Sequence, residues 1–231
     1  MMDLNNAAWE ISPPASELGR GVRGGTVLDA AAQTWRARLL DAGFRKRSGD
    51  IFTRPVTDDI LGWLGLNRAA SRQSPLVEVN PVVGVRHVAV ESMVAELLGE
   101  KPHGYAPPTL SVSLGYVMPA RSYQAWVFTV DTPVESVADD LVAAVNEYGI
   151  PYFEHHDSLA AIVQAMSEGA GFKEHNVFRL PVGYLLLDEL EKAQQIITAS
   201  VDELGQRQDL AAHRLRAFAA AFQQRLDRSR A

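Results

Sequence analysis

The sequence contains no cysteine. Disulfides, thiol nucleophiles, thiolate-bound metals and iron–sulfur clusters are thereby excluded, and a reducing compartment suits the chain. Long apolar runs are missing as well. The longest resemble GYLLL at 183–187, whereas a membrane-spanning helix needs about 20 apolar residues in succession. The opening stretch, MMDLNNAAWEISPPASELGRGVRGG, has no basic start followed by an apolar segment, so no secretory signal is expected and the cytoplasm is the expected location. Nucleotide-binding glycine loops are absent: GRGVRGG at 19–25 follows no strand and matches neither G-x-G-x-x-G nor a P-loop. There is no G-x-S-x-G elbow and no H-E-x-x-H or H-x-x-x-H helix. No cofactor and no metal are expected from these patterns.

What is present is the balance of a soluble globular protein, with 47% hydrophobic and 22% charged residues in 231. That length allows one large domain or two small ones. The net charge of −6 is spread unevenly. Residues 131–204 hold 14 acidic and 3 basic residues, a local net of −11, while 206–231 hold six Arg against two Asp, a local net of +4. The overall sign makes nucleic acid an unlikely partner. The acidic stretch suits a basic protein partner, whose approach it would accelerate.

Periodicity divides the chain into strands first and helices later. Residues 1–25, with Pro13-Pro14 and four glycines, read as a flexible arm, and 26–231 as a single α+β domain with a possible helical subdomain from 131. TVLDAAAQTWRARLLDAGF (26–44) reads as a helix capped by Thr26, with Leu28, Ala31, Trp35 and Leu39 on one stripe and Gly43 as its stop. FRKRSGDIFTR (44–54) reads as a hairpin turning at Ser48-Gly49-Asp50; its five nearby cations, Arg38 included, suit a solvated surface. DILGWLGLNRA (59–69) reads as a central strand. PLVEVNPVVGVRH (75–87) alternates, with Val77, Val79, Val83 and Val85 on one face; Pro81, lacking an N–H, predicts an edge position or a bulge. A short helix (89–99) follows. TLSVSLGYVM (109–118) and SYQAWVFTV (122–130) read as neighbouring antiparallel strands. Helices are expected at 131–149, capped by Thr132 and ended by Gly149, at 157–169, capped by Asp157, and at 182–204 and 207–228, with a loop at 169–180 and a short extended piece at IPYFEHH. The last two helices, broken only at Gly205, form an αα-hairpin whose apolar stripes could also serve a homo-oligomer. The expected fold class is α+β: a mostly antiparallel sheet over residues 44–130, covered by helices.

Two sets of residues are candidates for function. The first is the exposed acids Asp139, Asp140, Glu147, Glu154 and Asp157, which could meet a basic partner. The second is Glu78, Asn80, Arg86 and His87 on one strand and its exit. There a bulge could aim Asn80 and Arg86 at an anion and His87 could exchange a proton near neutral pH. Neither a nucleophile nor a second carboxylate is placed near them by spacing. His155 and His156, taken as neighbours on a strand, would point to opposite faces and could not share a metal.

The succession of a helix, LLDAGFRKRSGDIFTR and the strand TLSVSLGYVMP resembles the bacterial domain of unknown function 4304 family, and DSLAAIVQAM with the closing helices is similar as well. The resemblance covers about 26–205. It implies an accessory α+β protein, of which some small acidic examples resemble immunity proteins that neutralise toxins; it implies no catalytic residue. The leading expectation is a non-catalytic cytoplasmic protein acting by protein–protein binding. The alternative is a small-ligand binder or enzyme with a polar pocket near Asn80, Arg86, His87 and the tip at 102–105. The leading expectation rests on one premise, that the polar residues dress the exterior of a mixed fold.

Overall fold

The structure, a computed structural model, describes residues 24–70, 76–129, 131 and 133–230. Most of the expected N-terminal arm, and Thr132, lie outside the described residues.

Six strands form one antiparallel sheet: β1 (Arg45–Lys46), β2 (Ile51–Pro55), β3 (Ile60–Ala70), β4 (Val77–His87), β5 (Leu110–Ser113) and β6 (Trp126–Phe128). The order is β1-β2-β3-β4-β5, with β6 also on β4. Helices α1 (Gly24–Asp41), α3 (Val134–Ala144), α4 (Ile150–His155) and α5 (Leu159–Ser167) share a hydrophobic core with the sheet. A second cluster gathers α2 (Val88–Leu97), α6 (Lys173–Leu186), α7 (Leu190–Leu204) and α8 (Leu210–Arg230). The α+β class and the closing helical pair are thus present. The stripes of α7 and α8, with Ala193, Ile197, Leu215, Phe218 and Phe222, are buried within the same chain.

Local chemistry accounts for many element ends. At the end of α1, Phe44 N donates to Leu39 O at 2.9 Å and Gly43 N to Leu40 O at 3.0 Å, while Gly43 takes φ +84°. This doubly bonded left-handed turn drops Phe44 into the core against Phe153. Thr26 is not the cap, because α1 begins two residues earlier at Gly24. Gly62 lies in β3 because a Cβ there would stand 2.7 Å from the ring of buried Phe153.

Pro81 is neither at an edge nor in a bulge. The β3–β4 register runs unbroken through Leu66↔Pro81 and Asn67↔Asn80. Thr109 N donates to Val85 O, so odd-numbered residues of β4 turn their backbone groups away from β3. On that side β5 pairs with Val82–Val85 and β6 with Val77–Val79, end to end, leaving Asn80 and Pro81 opposite a gap. A missing N–H costs a ladder nothing there. The same arrangement corrects the expectation that 109–118 and 122–130 pair with each other. The chain leaves β5 through a 3-10 turn (Leu114–Tyr116) and returns, and each segment pairs with β4.

Several helix boundaries differ from expectation. Gly149 does not stop α3: it has φ −75° within a π-turn (Val145–Gly149) that runs straight into α4, and a Cβ there would lie 3.1 Å from Val83. The glycine serves a close approach of helix to sheet. IPYFEHH is therefore helical, and Pro151 sits in the first turn of α4, where its missing N–H is tolerated. Ser158, not Asp157, caps α5 by accepting from Ala161 N at 3.3 Å. The expected helix at 182–204 is two helices. Asp188, at φ +61°, ends α6 with Asp188 N donating to Leu185 O and Glu189 N to Tyr184 O. The expected loop at 169–180 holds the first half of α6, which continues through Pro181.

Candidate functional site

β4 ends in Arg86 and His87, and α2 starts at once. His87 is the N-cap of α2: its Nδ1 accepts from Val90 N at 3.4 Å, and its own N–H donates to Thr109 Oγ1 at 3.0 Å. A residue committed to capping, with its ring buried, is not free for acid–base work. Burial lowers its pKa, and the nearby Asp59 and Glu91 oppose that shift.

Arg86 lies on the sheet face away from the helical core, beneath the segment 99–109 that links α2 to β5. Its Nη1 donates to Pro107 O at 2.6 Å and its Nη2 to His103 O. The guanidinium thus pins that loop to the sheet. Its Nε is buried without a partner. One turn into α2, Glu91 meets two arginines. Arg86 Nη1 is 3.5 Å from Glu91 Oε2, and Arg179 of α6 brings Nε to 2.8 Å from Oε1 and Nη2 to 3.3 Å from Oε2. All three side chains are at most 8% exposed. Removing one partner from such a buried ion set costs about 3–5 kcal/mol, because the remaining charge is left uncompensated. Two guanidinium groups share one carboxylate, so one positive charge stays unbalanced. Burial, partly offset by Glu91 and reinforced by Arg179, pushes the pKa of the Arg86 guanidinium below its usual value.

The trio forms the floor of a cavity of about 230 Å³ between the end of β4, α2, the 99–109 loop, α6 and α8. Val94, Ala95, Leu98 and Phe178 give it apolar walls. Arg214 of α8 crosses the mouth, 2.6 Å from Glu100 and 5.8 Å from the centre of the Phe178 ring. Lys101, His103 and His175 complete the polar lining. Four cations face two carboxylates, a net of +2 inside a chain of net −6.

The two histidines differ. His103 Nδ1 accepts from Tyr105 N at 3.3 Å and Ala106 N at 3.2 Å, which leaves Nε2 to carry the proton of the neutral ring and to act as a donor. His175 lies on the rim with its ring partly open to solvent. The pocket wall and then Arg179 lower its pKa; Glu91 and Glu174 oppose this, and Arg214 adds to it.

No family model, no curated protein and no solved structure matches this chain. The chemistry of the pocket is therefore read from its own side chains.

Of the residues singled out on β4, only Arg86 reaches the pocket. Asn80 sits six residues upstream, roughly 20 Å along the strand. It closes the gap between β5 and β6: its Nδ2 donates to Gln124 O at 2.7 Å and its Oδ1 accepts from Ser113 Oγ at 3.0 Å. Glu78 is paired within the sheet between Ala69 and Val127. The tip at 102–105 does contribute, through His103. The premise that polar residues stay on the exterior fails here, since Arg86, Glu91 and Arg179 converge in the interior.

The acids Asp139, Asp140, Glu147, Glu154 and Asp157 are all exposed along or just after the continuous rod from α3 to α4. Asp139 pairs with Arg38 at 2.7 Å, and Glu147 accepts from Tyr148 Oη at 2.7 Å. Asp140, Glu154 and Asp157 have no ion-pair partner among the described residues. His155 and His156 sit at the end of α4, not on a strand. His156 is buried with its Nδ1 2.8 Å from Tyr152 O, and His155 is exposed. Among the described residues no group of three or more His, Asp or Glu is placed to hold a metal, and no helix is long and apolar enough to cross a membrane.

Sequence reasoning missed Glu91, Arg179, His175 and Arg214. Two of these carried a signal: Glu91 interrupts AVESMV and Arg179 interrupts VFRLPV, each a lone charge in an otherwise apolar run. A charge on a buried stripe needs a partner, and the two partner each other.

Proposed function

We propose that this chain is a binding protein that takes up a small anion in the pocket floored by Arg86 and Arg179. One observation carries the reading: Arg179 turns Nε and Nη2 toward Glu91, with Nη2 donating to Oε2, and its Nη1 has no protein partner among the described residues, in a cavity whose buried charges sum to +1. A guanidinium has two hydrogen-bonding edges, and the second matches a two-oxygen acceptor. Among the described residues no Ser, Thr or Cys lines the cavity, which favours binding over acyl transfer.

A thermal-shift panel at constant ionic strength tests this. Acetate, benzoate, phosphate and sulfate are compared with chloride. An anion held at 100 times its Kd adds about 2.7 kcal/mol to stability. The expected result is a raised Tm for at least one anion over chloride, lost in Arg179→Lys. Equal melting in every salt counts against the pocket.

A second reading is supported by the exposure of the acidic rod. Asp140, Glu154 and Asp157, exposed and without an ion pair among the described residues, suit a basic protein partner of the immunity type, recognised by electrostatic complementarity. Reversing these three charges should abolish capture of such a partner at low salt. A complex that survives the reversal removes this reading.

A further inference from the structure

Resting on the anion reading, we infer that the pocket takes an organic monocarboxylate with a compact apolar body, rather than an inorganic oxyanion. Three features narrow the class. The first is charge. Two buried guanidinium groups less one carboxylate leave a single positive charge, which a monoanion neutralises. A dianion would need a second positive charge, and among the described lining residues the cation left beyond this trio without a carboxylate partner is the exposed Lys101, whose charge water screens. The second is donor geometry. Nη1 of Arg179, with no protein partner among the described residues, and the second N–H of Nη2, whose first goes to Glu91, form the two parallel donors that a planar carboxylate matches with both oxygens. His103 Nε2–H is a further donor on the lining.

The third feature is the wall. Above the charged floor the cavity is lined by Val94, Ala95, Leu98 and Phe178. An inorganic ion would leave these surfaces wet, whereas an apolar group would cover them. Size sets the scale of that group. A cavity of about 150 Å³ accommodates benzene, so 230 Å³ accommodates on the order of ten non-hydrogen atoms. Benzoate and hexanoate have that size and charge.

The test uses the full chain and titration calorimetry at pH 7 with benzoate, hexanoate, benzamide and inorganic phosphate. Two variants separate the contributions. Arg179→Lys keeps a charge beside Glu91 but loses the two-pronged edge. Ala95→Leu narrows the apolar wall without touching a charge. A substitution such as Arg179→Met would strip Glu91 of its partner and endanger folding, which is why Lys is used. Benzoate or hexanoate should bind, and benzamide should bind at least tenfold more weakly. Each variant should weaken carboxylate binding at least tenfold while keeping the native circular dichroism spectrum. If phosphate binds, is weakened by Arg179→Lys and is indifferent to Ala95→Leu, while the carboxylates do not bind, the anion pocket stands and the carboxylate class is wrong. If none of the four probes binds, both are wrong. Equal binding of benzoate and benzamide also overturns the inference, since the charge would then play no part.

Discussion

His87 shows how one side chain's bonding fixes what it can do. Its Nδ1 accepts the Val90 N–H and must be unprotonated to do so. Burial lowers its pKa below the ordinary histidine value, consistent with that role. In the unfolded chain the ring titrates near its ordinary value of about 6.5. The folded state therefore binds fewer protons between the two values. Stability is complete above about pH 6.5 and falls as the pH drops from there through the lower folded value. His156 and His175, also lowered by burial, add to the same acid limb. Asparagine caps a helix without titrating. His87→Asn should keep most of the stability at pH 7.5 and shrink the loss between pH 7 and pH 5, measured by urea unfolding at each pH. An undiminished acid limb would show that the cap is not the titrating element.

The sheet is weakest, at the scale of elements, where β5 and β6 meet on the same side of β4. Neither strand covers Asn80 and Pro81, and the Asn80 side chain takes the place of the missing backbone bonds. Removing both bonds while leaving the backbone in place costs about 1–3 kcal/mol. Asn80→Ala should accordingly speed amide exchange in residues 111–128, with little change in β3. Uniform acceleration across the sheet would mean that Asn80 supports the whole sheet instead of that junction. Legibility followed the same line. β4 was readable because its apolar residues alternate, and β3 because Gly62 and Gly65 inside an apolar run disfavour a helix. The pairing partner of 109–118 was not, because a strand's sequence specifies a face and not a neighbour. Gly149 and Pro181 misled for a related reason. Each is a helix breaker by propensity, yet packing against Val83 in one case and burial of α6 in the other outweighs a cost of about 1–3 kcal/mol.

Across the whole molecule, α6 ties the two hydrophobic clusters together. α6 contributes Leu180 to the sheet's core and Val182 and Leu185 to the helical cluster, and its Arg179 reaches the Glu91 of α2. The pocket lies at this junction, so its geometry depends on both clusters at once. Trp35, Trp63 and Trp126 are all buried in the sheet part, whereas α6, α7 and α8 hold much of the helix. Fluorescence of these tryptophans thus follows the sheet part, whereas far-ultraviolet circular dichroism follows the helices of both clusters. Urea transitions followed by the two probes should coincide, as for a single cooperative unit. Separate midpoints would show that the helical cluster melts independently, and ligand binding would then be lost at the lower one.

The sequence alone determined which residues face inward along β4 and α1, the separation of strands from helices, and the chemistry that lacking cysteine rules out. These are local matters, since a period of two or of 3.6 residues is written along the chain. The pocket was decided only by the tertiary structure. Arg86 and Glu91 are near in sequence, but Arg179 is 88 residues from Glu91 and Arg214 is 114 from Glu100. Their meeting depends on how α6 and α8 cross α2, and that crossing is set by the packing of Val90, Val182, Phe218 and their neighbours, not by any spacing between the charged residues themselves.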